Sequence, residues 1–144
     1  MLLSSFIILV GLAAATSSEA VAPKYKSQSL KETNIVFYMH DLSTGHNITA
    51  HAIAGVPQSK WWTLGFGTAF ACDDKLTGAY HWKSNQIGRA QGIYVNSALD
   101  GSDAHLLMSL VFTNKEFNGS TLEIQGADRF YQKYREVSVV SGTG

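Results

Sequence analysis

The segment Asn34-Ile35-Val36-Phe37-Tyr38-Met39-His40 sets the pattern from which the fold of this chain can be read. Its odd-numbered positions are Ile, Phe and Met, and its later even-numbered positions are Val, Tyr and His. Side chains alternate between the two faces of an extended segment, so both faces here are largely apolar. The segment therefore predicts a β-strand that is covered on both faces and ends at Asp41.

Six further segments of this kind follow, separated by residues that favour turns. They are residues 51–56, 64–72, 86–96, 105–113, 120–125 and 134–140. Asp100-Gly101 and Asn118-Gly119 are turn dipeptides, and Asp73-Asp74-Lys75 is expected to end the third strand. Gly65 and Gly67 are expected within that strand, where they would permit tight curvature. Short strands without intervening helices predict an all-β antiparallel sandwich or barrel.

Composition excludes a role driven by charge. The 144 residues contain 11 Lys and Arg against 11 Asp and Glu, so the formal net charge is zero. Binding to nucleic acid depends on a basic surplus, and no nucleic-acid partner is expected. Hydrophobic residues make up 45% of the chain, which predicts a folded core rather than disorder.

The first twenty residues differ from the rest of the chain. Residues 6–15 form an uninterrupted run of ten apolar or small residues. A helix needs about 20 such residues to cross a bilayer, so no membrane span is expected. The run is typical of a secretory signal peptide. We therefore expect a signal peptide at 1–20, a lead-in at 21–33 and one β domain at 34–144.

Two further features agree with export from the cell. Asn47-Ile48-Thr49 and Asn118-Gly119-Ser120 are glycosylation sequons, which predict glycans on exposed loops at Asn47 and Asn118. Cys72 is the only cysteine, so no disulfide can form within the chain. A small secreted domain without disulfides depends on its core or on oligomerisation.

The residues that could carry chemistry are carboxyl groups beside apolar strands. The five histidines lack partners at metal-ligand spacing, and no glycine loop or nucleophile motif is present, so neither a metal nor a cofactor is expected. Asp41 follows an apolar strand, and Asp128 and Arg135 flank three aromatic residues. A carboxyl at the mouth of an apolar cavity has a raised pKa and can act as an acid. The alternative is a turn residue and a surface ion pair, and both interpretations remain open.

Four motifs in order resemble the plant dirigent proteins over about residues 30–144. They are Val36-Phe37-Tyr38-Met39-His40-Asp41, Gly88-Arg89-Ala90-Gln91-Gly92-Ile93-Tyr94, Phe117-Asn118-Gly119-Ser120-Thr121-Leu122, and the run from Arg135 to Gly144. The resemblance implies an antiparallel eight-stranded β-barrel of the dirigent and allene-oxide-cyclase-like type. It also implies a glycosylated homodimer or homotrimer secreted to the apoplast.

The resemblance further implies a function and a set of site residues. Dirigent proteins impose one stereochemistry on the coupling of monolignol radicals, such as those of coniferyl alcohol, to lignans. An external oxidase or peroxidase makes the radicals, and the dirigent protein has no oxidising centre. By this resemblance Asp41 and Asp128 would be proton donors, Arg135 would orient a partner group, and Tyr94 and Phe37 would bind substrate. Many members carry a tyrosine at the position of Asn96, which leaves the substrate open.

Two alternatives accompany that function. Residues 123–126 and 135–141 are similar to the branch that forms quinone methides from isoflavonoid alcohols, as a pterocarpan-synthase-like dehydratase or cyclase. In the family, the turn at 141–144 leads to a further strand with a Phe-x-x-Ala-Arg-Gly pattern, which this sequence does not contain. We therefore expect a barrel that is incomplete at its C-terminal side, and a non-catalytic, defence-related binding barrel is the second alternative.

Overall fold

The computed structural model describes residues 33–55 and 65–144, and all regular structure in these residues is β-strand. The strands are β1 (Tyr38–His40), β2 (Ala50–Ala54), β3 (Ala69–Thr77), β4 (Gln86–Asn96), β5 (Asp103–Phe112), β6 (Thr121–Arg129) and β7 (Ser138–Thr143). They form one antiparallel sheet, which confirms the predicted fold class.

The sheet follows the order of the chain from β3 onward. β1 pairs with the C-terminal part of β3, with Tyr38 opposite Thr77, and β2 pairs with its N-terminal part. Strands β4, β5, β6 and β7 then join one after another. Within the described residues β7 pairs only with β6, so the sheet is not closed. The predicted eight-stranded barrel is therefore not confirmed.

The acidic run in β3 corrects one sequence prediction. Asp73-Asp74-Lys75 does not end the third strand, because β3 continues to Thr77. Asp73 is exposed and forms an ion pair with Arg89 of the neighbouring strand β4, whereas Asp74 is buried on the opposite face. Partners across the sheet thus allow charged residues to remain inside a strand.

The glycines before β3 also have a different role from the one predicted. Gly65 and Gly67 lie in the turn that precedes the strand, and Gly67 has φ of +82°, which residues with a side chain rarely adopt. The close backbone approach occurs instead in β4. A Cβ at Gly92 would collide with the carbonyl oxygen of Leu107 on β5.

The hydrophobic core lies on one face of β3, β4 and β5, with one further residue from the start of β2. The buried residues alternate with exposed or half-buried ones, as expected for strands with one covered face. The core residues are Ala50, Cys72, Leu76, Ala90, Leu106, Met108, Leu110 and Phe112. Phe37 and Tyr94 pack against this cluster, so the predicted strand at 34–40 contributes to the core even though only its last three residues are paired.

The signal peptide predicted at 1–20 and the lead-in predicted at 21–33, apart from Thr33, lie outside the described residues, and both stay predictions. In the described part of the chain, no helix has the length and apolar character needed to cross a membrane.

Candidate functional site

A cavity of about 230 Å³ opens on the core face, where the end of β1 meets β3 to β6. Apolar and aromatic side chains make up most of its wall, and two carboxyl groups face it, which is the composition expected of a small-molecule site. The lining residues are Met39, Asp41, Ser43, Thr44, Phe70, Tyr94, Asn96, Leu106, Met108, Asp128 and Phe130.

The register of the sheet builds the aromatic wall of the cavity. Phe70 of β3 and Leu106 of β5 both lie opposite Tyr94 of β4. The Phe70 and Tyr94 rings stack with centroids 4.7 Å apart and planes 16° from parallel. Burial raises the pKa of the Tyr94 phenol, and the nearby charge of Asp41 adds to that effect. Tyr94 therefore stays protonated and can donate a hydrogen bond into the cavity.

Asp41 enters the cavity from the segment that follows β1. Loss of hydration on the cavity side raises the pKa of this carboxyl, and the negative charge of Asp128 raises it further. The carboxyl consequently keeps its proton to a higher pH than an ordinary aspartate. Asp41 is at the rim rather than the floor, because its side chain also remains accessible to solvent.

Asp128 reaches the cavity from β6, where it lies opposite Ala104 of β5. Its Oδ1 is 2.9 Å from Nη1 of Arg135. The same guanidinium donates from Nε to the Arg129 carbonyl at 2.7 Å and from Nη2 to the Phe130 carbonyl at 2.8 Å. Arg135 is therefore held in a fixed orientation, with its guanidinium cation directly beside the Asp128 carboxyl.

The structure brings Asp41, Tyr94 and Asp128 to one cavity and leaves two other predicted site residues outside it. Arg135 forms an ion pair with Asp128 but does not line the cavity. The Phe37 ring packs edge-on against Phe112 in the core, with centroids 6.1 Å apart. Its predicted role in substrate binding stays a prediction.

The two predicted glycosylation sites are both accessible. Asn47 lies in the exposed loop between β1 and β2, and Asn118 lies in the exposed turn between β5 and β6. Glycosylation of either residue stays a prediction.

Asp74 is a functional candidate that sequence reasoning missed. It is fully buried in β3, next to the segment that carries Asp41. Burial raises its pKa to about 6; the hydrogen bond from Thr49 opposes that shift, and the charge of Asp41 adds to it. The sequence does carry a signal for its burial. Side chains two residues apart in a strand point to the same face, so Asp74 shares a face with the buried Cys72 and Leu76.

Phe70, Leu106, Met108 and Phe130 also line the cavity and were not singled out from the sequence. Register between strands places Phe70, Leu106 and Met108, and a single sequence does not specify register; Phe130 directly follows the end of β6. Among residues 33–55 and 65–144, no three His, Cys, Asp or Glu side chains come together in a way that could hold a metal ion.

Comparison with known proteins gives consistent results. The family model described as Dirigent-like protein matches residues 32–144. Dirigent protein 1 of Arabidopsis thaliana is 34% identical over 99% of this chain and 78% of its own length. Pterocarpan synthase 1 of Glycyrrhiza echinata is 33% identical over 95% of this chain and 74% of its own. A solved structure of a pterocarpan synthase dirigent protein is similar with a TM-score of 0.70 and 37% identity, covering 75% of this chain and 70% of that one.

Proposed function

Since the chain belongs to the dirigent family, we propose that its cavity converts one phenolic alcohol of the isoflavonoid class into a cyclic ether through a quinone methide. The observation that carries this proposal is the pair of carboxyl groups, Asp41 and Asp128, which face one cavity in different electrostatic environments. Pairs of carboxyls whose environments differ commonly divide into an acid and a base.

The proposed reaction needs only proton transfer. Asp41 gives its proton to a benzylic hydroxyl, and the C–O bond breaks to release water. The Asp128 carboxylate takes the proton of the phenol conjugated to that carbon, which leaves a neutral quinone methide. A second phenolic hydroxyl of the same molecule then adds to the methide carbon, and its proton returns to Asp41 while Asp128 reprotonates the quinone oxygen. The sum is loss of one water from the substrate, with no oxidant.

The electrostatics support this division of roles. The raised pKa of Asp41 favours the protonated form that an acid needs. Asp128 forms an ion pair with Arg135 at 2.9 Å, an arrangement that suits a base. Tyr94 can donate a hydrogen bond to a developing oxyanion, and its ring forms with Phe70 a wall against which a flat aromatic substrate can pack.

Cavity size supports a reaction within one molecule. Pockets for drug-sized ligands usually measure about 300–1,000 Å³. The cavity of about 230 Å³ lies below that range and is better matched to one compact phenol than to two side by side. Holding one molecule in the folded geometry that closes its ring lowers the entropic barrier to closure.

Turnover of an isoflavan-4-ol bearing a second, neighbouring phenol tests the proposal. The purified protein is incubated with the racemic alcohol without oxidant, and the cyclic ether is resolved on a chiral column. We expect water loss with one enantiomer of product in excess, and a loss of at least a hundredfold in Asp41→Asn. Asp100→Asn is the matched control, because Asp100 is an exposed loop carboxyl that does not line the cavity. Equal rates in Asp41→Asn and Asp100→Asn would contradict the proposal.

Stereoselective coupling of monolignol radicals is the second candidate. A cleft of about 440 Å³ adjoins the cavity and shares Met39 and Asp41 with it. Its other lining residues include Tyr38, Tyr80 and Trp82, which could hold a second phenolic ring next to the first. This reaction needs radicals from an external oxidase or peroxidase.

Coniferyl alcohol with a one-electron oxidant tests the second candidate directly. An excess of one lignan enantiomer that disappears in Asp41→Asn would support radical coupling, and a racemic product would exclude it for this substrate. Running both assays on one preparation separates the two functions, since only radical coupling requires the oxidant.

We further propose that the protein acts in the apoplast as a homodimer or homotrimer with glycans on Asn47 and Asn118. The apolar run at 6–15 supports export, and the exposure of both asparagines supports glycosylation, whereas the assembly state rests on the family resemblance. Mass spectrometry of the secreted protein tests the glycans, and light scattering tests the assembly.

A further inference from the structure

Asp74 is a buried acid for which the proposed reaction has no direct use. Its side chain is fully buried in β3 and does not line the cavity. Its Oδ1 accepts a hydrogen bond from the Thr49 hydroxyl at 2.5 Å. Its Oδ2 has no hydrogen-bond partner among the described residues. A buried carboxyl with one unsatisfied oxygen opposes folding, so its presence calls for a reason other than stability.

Thr49 links Asp74 to the segment that carries Asp41. The Thr49 Oγ1 accepts a hydrogen bond from the Leu42 amide at 2.9 Å, and the Thr49 amide donates to the Leu42 carbonyl at 2.8 Å. The same Oγ1 lies 3.4 Å from the His40 carbonyl. Thr49 therefore contacts the residues on both sides of Asp41.

The Thr49 hydroxyl has one proton, and geometry decides where it goes. The Asp74 oxygen at 2.5 Å is a far better acceptor than the His40 carbonyl at 3.4 Å. When the proton points to Asp74, the lone pairs of Oγ1 are free to accept the Leu42 amide. Asp74 thus orients the hydroxyl that holds the backbone next to Asp41.

We propose that Asp74 is a positioning residue that acts through Thr49 to hold Asp41 at the cavity. Pairing of β1 with β3 agrees with this arrangement, because Met39 lies opposite Leu76 and His40 opposite Lys75. Asp41 directly follows His40, and Asp74 directly precedes Lys75, so the end of β1 leads the chain toward Asp74. The role of Asp41 as an acid rests on the proposed function, whereas the link from Asp74 to its backbone does not.

The charged groups near Asp74 do not take over the hydrogen bond between Asp74 and Thr49. Asp73 precedes it on β3 and is paired with Arg89 of β4, and Asp41 approaches from beyond β1. Thr49 can donate to an ionised Asp74, and it can accept from a protonated Asp74 while turning its own proton to the His40 carbonyl. The connection therefore persists in both protonation states.

Thr49→Val and Thr49→Ser form the first test, because valine removes the hydroxyl at nearly constant shape and serine keeps it. Hydrogen exchange of the Leu42 amide and a ¹³C titration of the Asp41 carboxyl are measured by NMR without substrate. In Thr49→Val we expect at least tenfold faster exchange and a lower pKa of Asp41, because the carboxyl moves toward solvent. Thr49→Ser should retain the wild-type values.

A matched control separates loss of the Thr49 hydroxyl from loss of the glycosylation sequon. Thr49→Val also destroys the glycosylation signal at Asn47, so all variants are made in a host that does not glycosylate, and Asn47→Gln is measured beside them. Asn47→Gln should leave the Leu42 exchange rate and the Asp41 titration unchanged. A change in Asn47→Gln as large as that in Thr49→Val would overturn the proposal.

Asp74 itself is tested with asparagine and alanine. The asparagine Oδ1 can still accept a hydrogen bond from the Thr49 hydroxyl, so the Leu42 amide should stay protected from exchange in Asp74→Asn. In Asp74→Ala the exchange rate of the Leu42 amide should rise about tenfold. Equal Leu42 exchange rates in Asp74→Ala and wild type would contradict the positioning role. An unchanged Leu42 exchange rate and Asp41 titration in Thr49→Val would contradict it as well. If Asp74→Ala does not fold, the Thr49 pair and Asp74→Asn still decide the matter.

The outcome for Asp74 can be separated from that of the proposed function. If the wild type lacks turnover but Thr49→Val releases the Leu42 amide and shifts Asp41, the function fails and the positioning role stands. If the wild type is active and those two values do not change, the positioning role fails alone. With an active wild type, Thr49→Val should lower kcat about tenfold with little change in KM.

Discussion

Nη1 of Arg135 lies 2.9 Å from Oδ1 of Asp128, while two other nitrogens of the same guanidinium bind the carbonyls of Arg129 and Phe130. The arginine is thus fixed by the backbone at the end of β6 and in turn fixes a carboxylate that faces the cavity. This arrangement makes Arg135 a residue that acts through Asp128 rather than one that touches substrate.

Replacement of Arg135 should reduce activity only by way of Asp128. Arg135→Gln removes the cation and most of the donor geometry, and we expect kcat/KM to fall by roughly tenfold to a hundredfold. Since both residues serve one function, Asp128→Asn combined with Arg135→Gln should be little worse than Asp128→Asn alone. Steady-state kinetics of the three variants provide the measurement.

Arg129→Gln is the control for Arg135. Arg129 is more exposed and its nitrogen is 3.8 Å from Asp103, so it should matter little. Strictly multiplicative losses in the double variant would show that Arg135 and Asp128 act independently.

Asp74 should make folding stability depend on pH in an unusual direction. Its pKa rises from 3.8 to about 6 on folding, chiefly through burial. Between these values the native state holds a proton that the unfolded state has lost, so stability falls as pH rises. A shift of this size contributes about 3 kcal/mol to the free energy of unfolding. This contribution is fully present below about pH 4 and is lost by pH 7.

Urea unfolding of the wild type and Asp74→Asn at pH 4 and pH 7 tests this expectation. The difference in unfolding free energy between the two proteins should change by roughly 2–3 kcal/mol in favour of Asp74→Asn at pH 7. A difference that stays constant between the two pH values would show that Asp74 titrates normally.

The contrast between β4 and β3 shows how far sequence reasoning can reach. The strand predicted at 86–96 is confirmed residue for residue, because local turn residues bound it on both sides. The end predicted for β3 is wrong, because Asp73 and Asp74 remain in the strand through partners elsewhere in the chain, Arg89 of β4 and Thr49 just before β2. Those partners are 16 and 25 residues away along the chain, beyond the range of any local pattern.

The residues of the candidate site also include some that the sequence predicts and some that it does not. Asp41 and Asp128 are predicted from their apolar and aromatic neighbours as well as from the family resemblance, and Tyr94 from the resemblance alone; the structure places all three around one cavity. Phe70 is not predicted as a site residue, because the apolar run that contains it does not specify which aromatic ring it will stack against. Its position is set by its pairing with Tyr94 across two strands.

Gly92 should be indispensable for folding. The backbone of β5 approaches it so closely that a Cβ would collide with the Leu107 carbonyl oxygen and press on the Met108 Cα at 2.8 Å. Since both are backbone atoms, β4 and β5 would have to separate, and we expect Gly92→Ala to lose about 2 kcal/mol or more of stability. Thermal and urea unfolding measure the effect.

Gly78→Ala is the control for Gly92, because its Cβ would meet only the Ile87 side chain at an ordinary 3.6 Å. The control should remain within about 0.5 kcal/mol of the wild type. Equal stability of the two alanine variants would mean that β4 and β5 do not approach as closely as described.

The pH dependence of turnover should report Asp41 as the acid. Burial and the charge of Asp128 raise its pKa, so the protonated form persists above the usual range of an aspartate and disappears as pH rises through the shifted value. Activity on an isoflavonoid alcohol should therefore persist to higher pH than an ordinary aspartate would allow, and then decline as pH rises through the raised pKa. In Asp128→Asn the repulsion is absent, so the declining limb should move to lower pH in addition to the loss of rate. A profile of kcat against pH for both proteins tests this, and a limb that stays in place or moves to higher pH in Asp128→Asn would show that Asp41 is not the titrating acid.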